Sequence, residues 1–161
     1  MLELRGKYDI FTLPKNGEAI CVTTNGIVKA DGHAVMGAGI ALQANKRFQV
    51  SARLGSYISQ YGNRAFNLGQ YKRNGSNEVF TVFSLPTKHH FKDDSDINLI
   101  VKSCNQLVEM CDKFGIAKCY LTPPGCGLGN LNYEQLVKPW ISQILDDRFV
   151  VVDNRTNVKI C

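Results

Sequence analysis

Two kinds of apolar pattern alternate along the chain. Residues 19–24, Ala-Ile-Cys-Val-Thr-Thr, form a short β-branched run that predicts a buried strand. A long Gly-containing loop over 25–39 follows and passes into a helical pattern over 40–48. A second helical pattern over 51–61 stops at Gly62, a residue type suited to a helix C-terminus. Residues 69–72 and 79–83 read as strands, and the Asn74-Gly75 pair between them predicts a hairpin. Ser95 is expected to cap a long helix with Ile97, Ile100, Val101, Cys104, Leu107, Val108, Cys111 and Phe114 on one face, ending at Gly115. A strand over 116–121 is followed by Pro123-Pro124-Gly125. Asn132-Tyr133-Glu134-Gln135 resembles a capping box for a last helix that buries Leu136, Trp140, Ile144 and Leu145. Residues 149–152 give a final buried strand, and the tail from Asp153 to Cys161 shows no pattern.

Strand, glycine loop and helix in repeated succession predict a three-layer α/β/α domain with a central mixed sheet. The chain has 161 residues, 44% hydrophobic and 20% charged, which fits one globular domain over 1–161 and excludes disordered and collagen-like classes. No stretch approaches the ~18–20 apolar residues of a membrane span, and residues 1–7 lack the apolar segment of a secretory signal. Six cysteines form no Cys-x-x-Cys pair, and three histidines supply no zinc-ligand spacing, so no metal is expected. Cys21 and Cys119 lie in apolar runs, where a reduced thiol acts as a small hydrophobe. A reducing cytoplasm is the expected setting, with no membrane partner. The formal charge of +5 is spread over Lys7, Lys15, Lys29 and Arg47, then Lys72-Arg73, then Lys88-His89-His90 with Lys92. Such a surface is either an ordinary basic one or suited to an anionic small molecule or nucleic acid.

The glycine is concentrated where α/β sheets place their ligands, in loops that follow strands. The first such loop ends Val35-Met36-Gly37-Ala38-Gly39-Ile40-Ala41, just before a helix. The second is Gly125-Cys126-Gly127-Leu128-Gly129-Asn130, between a strand and the last helix. Neither has the P-loop Gly-Lys-Ser/Thr or the dinucleotide fingerprint. Glycine amides and a helix N-terminus favour anions, and two such nests can grip a diphosphate from opposite sides.

These motifs, together with Thr24-Asn25-Gly26, resemble the macrodomain family, whose members bind ADP-ribose and in many cases hydrolyse its derivatives. The resemblance runs from about Asp9 to Val152 and is nearest to the branch of terminal ADP-ribose glycohydrolases and DNA-de-ADP-ribosylating antitoxins. It implies that Asp9, in the segment with Ile10, accepts from the adenine amino group, and that Asn25 bonds the distal ribose. Met36, Gly37, Ala38, Gly39 and Ile40 would donate backbone N–H groups to the diphosphate and cover the distal ribose. Gly125, Cys126, Gly127, Leu128, Gly129 and Asn130 would wrap its other side. The Cys126 thiol is not expected to be a nucleophile, because no histidine is placed to activate it.

Lys88, in Leu85-Pro86-Thr87-Lys88, resembles the glycohydrolase lysine that attacks the distal ribose carbon with help from an aspartate after Gly-Cys-Gly-Leu. Gly129 stands at that second position here. Lys88 is thus a nucleophile, a source of positive charge for a phosphate, or a solvated surface lysine. The loop beyond Asn25 is longer than in the glycohydrolases, and Asp31 or His33 in it could act as general base. His89 and His90 are alternatives, and activation of water by the ligand's own diphosphate would require no side chain. The expected function is binding of ADP-ribose and hydrolysis at its distal ribose, as an ADP-ribose 1″-phosphate phosphatase or a de-ADP-ribosylating glycohydrolase. The rival is a non-catalytic ADP-ribose-binding module, which Gly129 favours. A third reading is a nucleic-acid binder, and nucleic acid is also possible as a modified substrate. No cofactor is implied.

Overall fold

The computed structural model describes residues 1–155; residues 156–161 of the tail expected to lack a pattern, Cys161 among them, lie outside the described residues. Six strands form one sheet: β1 (Leu2–Arg5), β2 (Ala19–Thr24), β3 (Phe66–Lys72), β4 (Val79–Pro86), β5 (Cys119–Leu121) and β6 (Phe149–Asp153). Their spatial order is β1-β6-β5-β2-β4-β3. All neighbours are parallel except β3, which runs antiparallel to β4 as the hairpin expected around Asn74-Gly75.

Alternation along the strands feeds two cores. Ile20, Val22, Phe80, Val82, Val150 and Val152 face α1 (Gly39–Phe48) and α2 (Ser51–Tyr61). Ala19, Cys21, Phe83, Leu85, Phe149 and Val151 face α3 (Ile97–Phe114) and α4 (Lys138–Ile141). The result is a three-layer α/β/α domain with a mixed sheet, as the sequence pattern predicts. Among the described residues no helix is long and apolar enough to cross a membrane.

Several boundaries differ from the sequence expectation. Ser95 does not cap α3: Asp96 does, its Oδ1 accepting from Asn98 N at 2.9 Å. Strand β5 is only three residues long, because 116–118 serve as the approach to it. The last helix opens as a π-helical turn, Tyr133–Val137, with Asn132 Oδ1 accepting from Gln135 N at 2.9 Å. Pro139, which has no N–H, sits in the first turn of the short α4 that follows. The buried series is Tyr133, Val137, Ile141 and Leu145, each four residues after the last. Of the expected face Leu145 is buried, whereas Leu136, Trp140 and Ile144 each lie one position before the buried series, and Trp140 is half exposed. Asp153 belongs to β6 rather than to the tail, and edge strand β1 was not foreseen.

Gly55 is where the long loop after β2 docks on α2. A Cβ at Gly55 would lie 2.0 Å from the Gly32 carbonyl oxygen and 2.9 Å from Ala34 N. Alanine is favoured over glycine inside a helix by roughly 1 kcal/mol, yet here it would push the loop off its seat. Gly55→Ala is therefore expected to destabilise by about 1–3 kcal/mol, the usual range for overpacking, as read from chemical denaturation. An unchanged or raised stability would show that the loop does not rest on α2.

Candidate functional site

The strand order sets out the site. The parallel strands β6, β5, β2 and β4 lie side by side, and a cleft of about 710 Å³ opens over their carboxyl ends. With strands spaced about 4.8 Å apart, those four ends span roughly 14 Å. The lining comes from Val152 near the end of β6 with Asn154 and Arg155 after it, Thr122 and Pro123 after β5, Thr23 to Asn25 at β2, and Thr87 and Lys88 after β4. The two glycine loops form its walls.

Asn25 shapes the first loop. Its Oδ1 accepts from Ile27 N at 3.0 Å, and its Nδ2 donates to the Val35 carbonyl at 3.0 Å, so one side chain ties the two ends of the loop together. Between them Val28 and Ala34 form an antiparallel bridge. The chain then enters α1 through Gly39, whose φ of +57° suits glycine, and Ala38 supplies no side-chain cap. The amides of Gly37, Ala38, Gly39, Ile40 and Ala41 donate to no acceptor among the described residues. They end a helix whose dipole favours a negative charge at the same place.

The second loop faces the first. Gly125, at φ +75°, starts it, and Asn130, at φ +64°, closes it with Nδ2 donating to Asp94 Oδ1 at 2.8 Å. The amides of Gly127, Leu128 and Gly129 also donate to no acceptor among the described residues. Leu128 Cδ1 lies 3.4 Å from where a Cβ on Gly39 would stand, so the loops meet across the cleft.

Among the described residues, three ionisable side chains line the cleft: Lys88, Cys126 and Arg155. Lys88 stands at the β4 end, its Nζ donating to the Leu128 carbonyl at 3.2 Å and the Phe91 carbonyl at 3.5 Å. Arg155 stands at the β6 end. Its Nε and Nη2 donate to the two carboxylate oxygens of buried Asp153, both at 2.8 Å, and its guanidinium lies 5.0 Å from the Tyr133 ring centroid. That pairing holds the Asp153 carboxyl below the ordinary aspartate range. Cys126 Sγ donates to the Pro124 carbonyl at 3.2 Å, and burial pushes its thiol up to about 12.

Of the residues singled out in the sequence, Asn25, Met36 to Ile40, Lys88 and Gly125 to Gly129 come together on this cleft. Asp9, Ile10, Asp31, His33, His89, His90 and Asn130 do not line it. Asp9 caps a short 3-10 turn, Ile10–Thr12, with Oδ1 accepting from Phe11 N at 3.0 Å and Oδ2 3.6 Å from Arg47. It stands next to the β6 end all the same, since Asn154 bonds both the N–H and the carbonyl of Tyr8. The loop over 25–39 folds back on α2, which carries His33 away from the cleft: its Nδ1 pairs with Ser51 Oγ at 2.8 Å. Asp31 is exposed and accepts from His33 N, the main reason its carboxyl lies below the ordinary value. His89 pairs with Asp96 at 2.9 Å, and His90 stacks on Phe91 with centroids 4.3 Å apart. Sequence reasoning missed Ser95, Phe91, Asn154 and Arg155. The last two immediately follow a buried strand, and the strand-end rule applied to residues 149–152 points to them.

No protein-family model matches the chain, and no curated protein does. Solved structures do. The macrodomain of Mycobacterium tuberculosis DarG is 24% identical, with a TM-score of 0.72 over 96% of this chain and 99% of that one. The macrodomain of Thermus aquaticus DarG is 23% identical, with a TM-score of 0.70 over 96% and 98%. Thermosipho africanus DarTG in complex with ADP-ribose is 22% identical, with a TM-score of 0.74; the match covers 99% of this chain and 43% of that longer one. Sheet order, layer arrangement and these matches together show that the chain has the macrodomain fold.

Proposed function

We propose that the cleft binds ADP-ribose and that the chain releases a group attached at the distal ribose. The observation that carries this reading is the pair of facing amide rows, Gly37 to Ala41 and Gly127 to Gly129, all without acceptors among the described residues. N–H groups left unpaired on both sides of one cleft, several of them on exposed residues that a ligand can reach, suit an anion with oxygens on both faces, as a diphosphate has. The structure of Thermosipho africanus DarTG with ADP-ribose supports the choice of ligand. The adenosine lies toward Arg155 and Asn154 beside the Asp9 segment, and the distal ribose toward Lys88, because those are the two ends of the strand row.

Lys88 is the nucleophile in this reading, being the only ionisable side chain at that end of the lining among the described residues. Its neutral amine attacks the anomeric carbon, and the bond to the attached group breaks as that group leaves with the electron pair and takes up a proton. Water then cleaves the lysine–sugar linkage, freeing ADP-ribose and restoring the amine. The same site accepts either a 1″-phosphate or a modified macromolecule as leaving group. One observation favours a second reading, a binding module without turnover: among the described residues no carboxylate or imidazole lines the cleft.

A phosphorus NMR time course with ADP-ribose 1″-phosphate separates these. Release of phosphate gives a phosphatase; shifted diphosphate signals without release direct the test to ADP-ribosylated protein and DNA. An unchanged spectrum at millimolar ligand contradicts the whole reading. Lys88→Ala is expected to abolish turnover on the cleaved substrate while ADP-ribose binding changes by less than about tenfold. Persisting turnover in that variant excludes Lys88 as nucleophile.

Two further outcomes test the cleft itself. A Cβ at Gly37 would meet nothing within 4 Å, so Gly37→Val fills the cleft without disturbing the fold. It is expected to weaken ADP-ribose binding by roughly 100-fold, about 3 kcal/mol, with an unchanged unfolding midpoint; calorimetric titration reads the affinity. The thiol of Cys126, raised from 9.0 to about 12, should carry a thiolate fraction about 1000-fold below an ordinary cysteine. Alkylation of Cys126 near pH 8, followed by mass spectrometry, is expected to be correspondingly slow; rapid modification would put a reactive thiolate in the site.

A further inference from the structure

Ser95 lies directly before the N-cap of α3 and lines the β4 end of the cleft. The residue is 8% exposed, and among the described residues its Oγ is the buried side-chain polar atom with no hydrogen-bond partner. Native interiors seldom leave a hydroxyl in that state, because its desolvation is not offset.

The surroundings explain why no protein group supplies the partner. The capping role at α3 is taken by Asp96. Ser95 N donates to the Gly129 carbonyl at 3.0 Å, which fixes the residue against the second glycine loop. A Cβ on Gly129 would stand 2.0 Å from Ser95 Oγ and 2.5 Å from the Gly125 carbonyl oxygen. Any side chain at 129 is thereby excluded, and the hydroxyl gains nothing from that position. From the other side, Lys88 Nζ holds the loop by the Leu128 carbonyl.

We propose that the Ser95 hydroxyl is a ligand-binding group that completes its hydrogen bond to a sugar hydroxyl at the β4 end of the cleft. The inference rests on the ADP-ribose reading of the site. A serine hydroxyl both donates and accepts and carries no charge, so it matches a sugar hydroxyl, while the amide rows serve the phosphates. When the ligand seats, Lys88 exchanges its bond to the Leu128 carbonyl for the ligand, and the loop over 125–130 shifts to uncover Oγ. The hydroxyl is left unpaired in the free protein because its partner arrives with the ligand.

The test uses the full chain with Ser95→Ala and two ligands, ADP-ribose and ADP, which lacks the distal ribose. Thermal unfolding of the free proteins and calorimetric titration are read together. The expected result is an unfolding midpoint at or above that of the unchanged protein, ADP-ribose binding weakened roughly three- to tenfold, and ADP binding unaltered. Ser95→Cys, similar in size but a weak donor, is expected to fall between the two on ADP-ribose alone. Equal effects on both ligands, or none on either, overturn the inference, since the hydroxyl then does not meet the distal sugar. A lowered midpoint, or failure to fold, also overturns it, because Oγ then has a structural partner. If the unchanged protein binds neither ligand, the reading of the cleft falls first and this inference falls with it.

Discussion

The structure depends on two rows of backbone amides kept free of partners on the walls of one cleft. Unpaired N–H groups at a helix start and in a glycine loop are open to an anion, and here two rows of them face each other across one cleft. The helix α1 cannot satisfy its own first amides, and the residue before it, Ala38, has no side chain that could cap them. The second loop's carbonyls accept from within the loop and from its neighbours. Leu131 N donates to the Gly125 carbonyl at 3.0 Å, Ser95 N to that of Gly129 at 3.0 Å and Lys88 Nζ to that of Leu128 at 3.2 Å, while the amides of Gly127, Leu128 and Gly129 stay open.

Glycine is required at a few positions by contact rather than by flexibility. Gly55 lets the long loop after β2 lie on α2, which anchors the first amide row from behind. Gly129 and Gly125 let the second loop lie against Ser95 and Ile100 at the start of α3. By contrast Gly37 and Gly127 meet no neighbouring atoms, so at those positions the missing side chain keeps the cleft itself open. The same residue type thus does two jobs in one loop. This also gives a structural reason for Gly129: an aspartate there would collide with Ser95.

The fold was largely legible because its signals are strong and local. The run of Ala19–Thr24, the stop at Gly62 and the Asn74-Gly75 hairpin each rest on short-range chemistry, and each lies where the sequence puts it. Errors arose where tertiary context chose between near-equivalent options. Ser95 and Asp96 are both good caps, and packing of Ser95 under Gly129 leaves the cap to Asp96. The last helix was mis-phased because Pro139 and a π-helical turn rotate the face that a regular helix would bury. At the site, both glycine loops and Lys88 could be read from composition and order. The fold-back of residues 25–39 could not, since it depends on a glycine in a different helix, and it takes Asp31 and His33 out of the cleft. Arg155 is placed both locally, by Asp153 two residues before it, and by the distant Tyr133 ring, and only the strand-end rule could point to it in the sequence.

The most direct test of the amide rows is a nitrogen–proton correlation NMR titration with ADP-ribose. The account predicts large, saturable shifts at the amides of Gly37, Ala38, Gly39, Gly127, Leu128 and Gly129, moving together with one affinity. Amides at the far ends of the strands, such as those of Ala19 and Phe149, should remain in place. Shifts confined to one loop, or spread evenly over the sheet, would contradict a diphosphate held between the two.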